Sequence, residues 1–588
     1  MRISTVASIA FCLAALGATA VGAADAPAST SADTIYRNGR ILTMAGPEPA
    51  YVEVLAVGGG KILFAGSAED AKGFEGRGTK VVDLAGRTLL PGFIDTHGHM
   101  IYFGKNLIDA DLVGSKNMDD LVERLKEQAK STPEGAWIVG FGYRARDLAE
   151  GRPPTIEDLD RVSKDRPVMV VDASGHLGAG NSVVFKEAGI SADTPDPDGG
   201  AFARKPGGRG LLGPMEETAL NAVRNRRPAL RGKQLDDAVT GAARVWARHG
   251  HTTAQEAGVG LGADDVAIVL NAIDKQLLPI DLWIAAKDSN LDATLAAAYT
   301  VASEYDAGPG GSPAKLLAAR PDLDRRYVNR VRLGGVKFWL DGSMDTAWFT
   351  QPYSVNPPGK TGAFAGYQQI PDDVLDAAFD RFWTTNLQIN MHMNGDAAAD
   401  QALRAIEKAV AKHGMGDHRP VFIHATYLRP DQVETMKKFG AVPSFLSVGI
   451  VSGGDAVQRM WGPDRASTSM ASRTMLENGI PFTFSHDAPV TPVPSVLALV
   501  DAGVNRTSAS GTVVGPDQRI TPYQALKAVT SNAAWQIKEE KAKGTLEPGK
   551  LADLVVLDRN PLEVPPATIK DIAVVETIKE GRTVYRRD

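Results

Sequence analysis

Apolar and polar positions follow three regimes along the chain. Residues 34–90 alternate short β-favouring runs with Gly and Asn, at Ile35–Ile41, Glu53–Val57 and Lys61–Gly66. That pattern predicts hairpins. Gly58-Gly59-Gly60 reads as a hairpin turn and not a phosphate loop, because no helix signal follows it. Ala552–Asp558 and Thr577–Tyr585 repeat the style at the other end. The two ends, 25–90 and 541–588, are therefore expected to build one small composite β-sandwich. In between, short apolar strands alternate with amphipathic stretches, the pattern of parallel α/β folds. Strands are expected at Leu89–Thr96, Thr252–Glu256, Pro279–Ala285, Gly335–Leu340, Gln388–His392, Val421–His424, Ala441–Leu446 and Pro481–Ser485. Helical periodicity intervenes, for example at Asp372–Thr385, Ala397–Lys412 and Pro430–Phe439. Eight strand–helix units predict a (β/α)₈ TIM-type barrel over residues 91–540. Residues from about 103 to 248 fit no single crossover and are expected to form a large insertion after the first strand. The run Arg224-Asn225-Arg226-Arg227 reads as a solvated face.

The N-terminus changes the picture of where this fold works. Met1-Arg2, an apolar run from Ile9 to Val21 and the small residues Gly22-Ala23-Ala24 describe a signal peptide over 1–24, cleaved near Ala23 or Ala24. The run is short for a membrane span, so an uncleaved anchor is the lesser reading, and a periplasmic or secreted protein is expected with no stable membrane insertion after cleavage. The single cysteine, Cys12, lies in that segment, which excludes a disulfide framework and a thiolate metal cluster. With 64 Lys+Arg against 70 Asp+Glu the net charge is −6, which argues against a nucleic-acid partner. A small-molecule substrate is expected, and a homodimer is the assembly left open.

His97-Gly98-His99 follows the apolar strand ending in Pro91-Gly92-Phe93-Ile94-Asp95. Residues two apart on a strand face the same side, so both imidazoles reach one ion, and imidazole suits zinc and similar divalent metals. Lys337, His392, His424 and Asp487 end the fourth, fifth, sixth and eighth expected strands in the same way. Alone, each has a bland reading as a barrel-layer polar residue or a cap. Together they converge on the C-terminal rim of a barrel, where active sites gather.

Leu90-Pro91-Gly92-Phe93-Ile94-Asp95-Thr96-His97-Gly98-His99 resembles the opening motif of the metal-dependent amidohydrolase superfamily, and Gly544–Leu557 resembles its closing motif. Asp196-Pro197-Asp198-Gly199-Gly200, Gly335-Val336-Lys337 with Asp341-Gly342-Ser343, and Gly395-Asp396-Ala397-Ala398 are similar to the amidohydrolase 3 (YtcJ-like) branch. That branch includes N-substituted formamide deformylases and an exported regulator of exoenzyme production. The resemblance implies that His97, His99, His392, His424 and Asp487 are metal ligands and that Lys337 sits at the fourth-strand lysine position. One or two divalent ions, zinc foremost, would be held. Lys337 is then either N6-carboxylated and bridging the metals, or an ordinary lysine held off them. Asp487 is the expected proton shuttle. His176, in Ser174-Gly175-His176-Leu177, matches a motif in the insertion and is expected to polarise a substrate carbonyl, or else to brace a loop.

Met391-His392-Met393-Asn394 and Ser485-His486-Asp487 depart from the branch's usual neighbours, which should alter pocket shape more than the metal centre. His486 is expected either as a substrate contact or as a residue behind the ligands. Trp339, Asp341, Trp348 and Phe349 are expected near the pocket wall. His249, His251, His413 and His418 are read as structural. The implied activity is hydrolysis of a non-peptide C–N bond, of amide or formamide type, by a metal-activated hydroxide. A lactonase or esterase on the same centre, or a non-catalytic regulator retaining the fold, are the alternatives. All six ligand positions hold usable residues, which favours an enzyme.

Overall fold

In a computed structural model, residues 31–207, 210–262, 264–287, 327–357 and 359–588 are described. The expected signal segment lies outside them. Among the described residues no helix is long and apolar enough to cross a membrane.

Eight parallel strands form the central sheet in strict chain order: Phe93–Ile94 (β1), His251–Val259 (β2), Asp281–Lys287 (β3), Val331–Trp339 (β4), Gln388–Met393 (β5), Val421–His424 (β6), Val442–Phe445 (β7) and Thr483–Phe484 (β8). Just beyond the strand ends, Asp487 N donates to His97 O (3.0 Å) and His99 N to Ala488 O (2.9 Å), so the last strand returns to the first. The sheet curls as a TIM-type α/β fold does. Every residue of β2 and β5 is buried, as expected for strands covered on both faces. Helices at Asp372–Phe382, Asp396–His413 and Pro430–Phe439 fall where the periodicity places them.

The apolar run Leu89–Thr96 is not one strand. Thr88–Pro91 pairs with Thr34–Leu42 and Leu554–Leu557 in a second sheet, and only Phe93–Ile94 joins the barrel. Gly92 makes the break: a Cβ there would lie 2.3 Å from Thr252 Cγ2. Both chain ends share this second, eight-stranded sheet. Its Gly59-Gly60 turn takes φ of 58° and 77°, the left-handed pair that a tight two-residue hairpin needs.

Between β1 and β2 the chain forms a six-stranded sheet from Ala110 to Glu217. Its strands bury both faces: Val139, Phe141, Met169 and Val171 enter one core, while Ile138, Val168 and Val170 enter another. The loop between its strands Val168–Asp172 and Leu177–Gly180 carries His176 to the barrel mouth, where its ring centroid lies 5.4 Å from that of His392.

Candidate metal centre

The rim of the barrel gathers the six expected ligands around one cavity of about 340 Å³. His97 and His99 leave β1 on the same side, with ring centroids 5.0 Å apart. The glycine between them is required, since a Cβ at Gly98 would lie 2.5 Å from Asp95 Oδ2 and 2.8 Å from His486 Cε1. His392 is the penultimate residue of β5 and His424 ends β6, their rings 4.7 Å apart, and His97 stands 5.2 Å from His424. Asp487 Oδ1 is 3.1 Å from His97 Nε2 and 3.3 Å from His99 Nε2, and its Oδ2 is 3.7 Å from His424 Nε2. One donor atom each from His97, His424 and Asp487 lie within 4.8 Å of one another. His424 and Asp487 take φ of 67° and 54°, left-handed backbone that turns both side chains inward at a local cost.

The residues present fit a divalent cation. Oδ1 of Asp487 and Nζ of Lys337 are buried without a hydrogen-bond partner, and each such atom costs about 1–3 kcal/mol when left unsatisfied. Burial, together with the Lys337 charge, holds His97 well below the usual histidine range, in the neutral form that binds metal. Burial likewise pulls Lys337 down to about 7, only partly opposed by Asp487 and Glu256. Burial opposes ionisation of Asp487, but the surrounding imidazoles win and hold it well below the carboxylate range.

Carboxylates behind the rings hold these side chains in place. His99 Nδ1 is 3.3 Å from Glu256 Oε1, and Glu256 Oε2 accepts from Ile101 N at 2.6 Å. His392 Nδ1 is 3.1 Å from Asp341 Oδ1, whose carboxylate also accepts from the backbone N–H of Trp348, Asn394 and Gly395. Such partners fix ring orientation and tautomer. His176 Nδ1 is 2.7 Å from Glu217 Oε2. Glu217 holds φ 51° with ψ −117°, a strained backbone for a residue with a side chain.

Of the residues expected to meet substrate, His176 and Trp339 line the cavity, with Lys337 Nζ 5.3 Å from the Trp339 ring centre. Asp341 and His486 do not line it. Asp341 is spent on His392 and three amides. His486 Nε2 lies 3.3 Å from Asp95 Oδ2 and its Nδ1 accepts from Ala488 N, behind the ligands. Phe349 packs on Trp461, Tyr353 and Tyr427, away from the cavity.

The sequence profile of the Amidohydrolase family matches residues 80–585. The chain belongs to the Amidohydrolase family. This amidohydrolase is 27% identical to an N-substituted formamide deformylase of Arthrobacter pascens, over 91% of this chain and 95% of the relative. It is 27% identical to the protein LONG AFTER FAR-RED 3 of Arabidopsis thaliana, over 95% of this chain and 92% of that one. Its fold matches the crystal structure of an uncharacterized metal-dependent hydrolase from Pyrococcus furiosus with a TM-score of 0.68 and 27% identity, covering 90% of this chain and all of that one. A hydrolase of this superfamily, using a divalent metal, is what these likenesses and the donor set support.

Glu256 and Glu217, both missed in the sequence, anchor the amidohydrolase's His99 and His176. The available signal for Glu256 was a lone carboxylate in the otherwise uncharged interior of β2. The run Arg224–Arg227 is a solvated face only at Asn225 and Arg226, which are exposed. Arg227 is bound bidentately by Asp109, and Arg224 lines the catalytic cavity. Of the others read as structural, His251 Nε2 lies 3.1 Å from Pro494 O, His413 pairs with Asp380, and His418 sits 4.0 Å from Trp383, all off the cavity.

Proposed function

We propose that this protein is an exported amidohydrolase that cleaves a small-molecule C–N bond of amide or formamide type. The observation that carries the reading is the convergence of His97, His99, Lys337, His392, His424 and Asp487 on one cavity, with His176 facing them across it. The histidines and Asp487 would hold the metal, zinc by the chemistry of imidazole donors, and it would supply Lewis acidity and a water of lowered pKa. Lys337 would join them as a carbamate: its neutral amine adds to carbon dioxide and loses a proton, turning a buried orphan nitrogen into two ligand oxygens.

The remaining chemistry belongs to the chain's own groups. His176, half-buried and held above the usual histidine range because Glu217 outweighs the cost of desolvation, carries a proton toward the carbonyl oxygen. Asp487 accepts the proton of the attacking water and delivers it to the departing nitrogen, which an amide requires because its anion is a very poor leaving group. The deformylase relative supports an amide-type substrate for this chain.

Metal analysis of the purified protein, followed by a screen of amides, formamides and lactones, tests the reading. Turnover of amides or formamides by metal-loaded protein supports it. Turnover confined to lactones and esters would replace it with an esterase, and a fully loaded protein inert to all three would remove the enzyme. N-terminal sequencing of protein from the periplasmic fraction tests export: a start at residue 24 or 25 supports it, and an intact Met1 in the cytoplasm overturns it.

A further inference from the structure

Arg224 ends the helix Thr218–Arg224 of the insertion, and Lys287 ends β3 on the barrel rim. Both line the metal-centre cavity, and neither has a carboxylate partner among the described residues. Arg224 Nη2 donates to the neutral Asn221 Oδ1 at 2.7 Å, its guanidinium carbon stands 5.5 Å from the Tyr102 ring centre, and its Nε is buried with no partner at all. Lys287 is Cα partner to Lys337 in the parallel ladder, which places it one strand from the metal ligands. Burial and the nearby Arg224 charge push the Lys287 ammonium below its ordinary value, so the two cations feel each other across the cavity.

Proteins seldom hold two cations together without an anion between them. The cavity's own carboxylates are taken. Glu217 is bound to His176, and Asp487 lies among the ligand imidazoles. Behind Tyr102 and Arg224 lies a side chamber of about 50 Å³ that is rich in carboxylates, each of them held by a partner other than Arg224, with Asp264 and Asp265 sharing one lysine. Asp109 binds Arg227, Asp264 and Asp265 bind Lys105, and Glu256 binds His99 and Ile101 N. Among the described residues, Arg224 and Lys287 are the cavity's cations outside the ligand cluster that no carboxylate binds. The cavity they share with the metal centre has an apolar part of its wall in Leu261, Phe338, Trp339 and Ile370.

We propose that Arg224 and Lys287 form an anion subsite, so that the substrate is an acyl compound whose apolar body ends in a carboxylate. Arg224, braced by Asn221 and Tyr102, presents a planar fork suited to a carboxylate, and Lys287 supplies a point charge beside it. The proposal rests on the amide-hydrolase reading for the word substrate, but the subsite itself is read by binding alone.

The experiment is titration calorimetry of glutarate and of its neutral diamide, glutaramide, into metal-loaded wild type, Arg224→Gln and Lys287→Met. Circular dichroism and metal content check that each variant is folded and loaded. Wild type should bind glutarate and discriminate against glutaramide. Arg224→Gln should weaken glutarate by about 10–100-fold, as loss of a charge-assisted contact does, and Lys287→Met by a smaller factor. A metal-only contact would survive both substitutions, so unchanged glutarate affinity in both overturns the proposal. So does equal affinity for glutarate and glutaramide, or no glutarate binding by wild type. Where Arg224→Gln proves misfolded, Lys287→Met decides alone. Paired kinetics on N-succinyl-butylamine and N-butyryl-butylamine then separate the two readings. Inertness to both, with glutarate binding intact, removes the hydrolase and keeps the subsite. Equal kcat/KM for the pair removes the subsite and keeps the hydrolase.

Discussion

At Asp487 two demands meet in one side chain. Its oxygens lie 3.1–3.7 Å from the Nε2 atoms of His97, His99 and His424, and in the proposed reaction it is also the carboxylate that moves a proton. Asp487→Asn keeps the shape and removes the base. The expected result is a fall in kcat of about 10²–10⁴-fold with metal still held by the four histidines, measured as rate and metal content on the same preparation. Near-normal turnover at full occupancy would take Asp487 out of the mechanism. Activity lost only in proportion to metal would leave it a ligand and nothing more. Glu256 makes the complementary case one step further out. Because its Oε1 faces His99 Nδ1 while Oε2 is occupied by Ile101 N, Glu256→Gln should weaken metal affinity by about 10–100-fold. Competition with a chelator reads this directly, and an unchanged affinity would show that His99 needs no orienting partner.

Among the elements, β1 is the one whose geometry leaves least freedom. Its continuation through Gly98 runs against Asp95, which accepts from Trp246 Nε1 (2.9 Å) and Gln255 N (3.2 Å), and against His486, whose Nδ1 accepts from Ala488 N. Neither neighbour is free to retreat, so Gly98→Ala should displace the backbone that aims His97 and His99. A folded protein with clearly reduced metal loading is expected, by circular dichroism and metal analysis. Wild-type loading would mean that this layer is pliable. The same element shows what the sequence makes legible. Periodicity locates Pro430–Phe439 and the ends of β5 and β6, because helix and strand periods are local properties. It reads Leu89–Thr96 as one strand because both halves are apolar, and only pairing with two different sheets separates them at Gly92. For the same reason Arg224 passes for a surface charge until the insertion folds back over the barrel mouth. The six residues of the candidate site were readable since each lies near or just past the C-terminal end of an expected strand, whereas Glu256 and Glu217 act through partners 157 and 41 residues away.

At the scale of the whole molecule, the two sheets are joined beneath the barrel by buried charge. Asp281, the first residue of β3, accepts from Lys543 Nζ (2.7 Å) and from Lys579 Nζ (2.6 Å), which stands in the sheet shared by both chain ends. Lys579 also binds Asp553 at 2.8 Å, and Lys543 also binds Glu539 at 2.6 Å. Burial alone would raise the Asp281 pKa, yet the two ammonium groups reverse the sign and hold it below the ordinary carboxylate value. Its stabilising contribution is therefore fully present above an unfolded pKa of about 4 and is lost as pH falls toward the lower folded value. Asp281→Asn leaves Lys543 and Lys579 short of a counter-charge at a site where all three side chains are almost completely buried. Breaking a buried pair in this way costs about 3–5 kcal/mol. Thermal melts between pH 8 and pH 3 should show a lower Tm for the variant near neutrality, with the gap to wild type narrowing below about pH 4 as Asp281 of the unfolded wild-type chain takes up a proton that the folded one still refuses. The metal centre lies at the opposite end of β3 and β4, so the ion bound per folded molecule at 20 °C should be unchanged. A gap that stays constant down to pH 3 would assign the loss to packing and not to charge. No gap at any pH would show that the two sheets are held together by their apolar contacts alone.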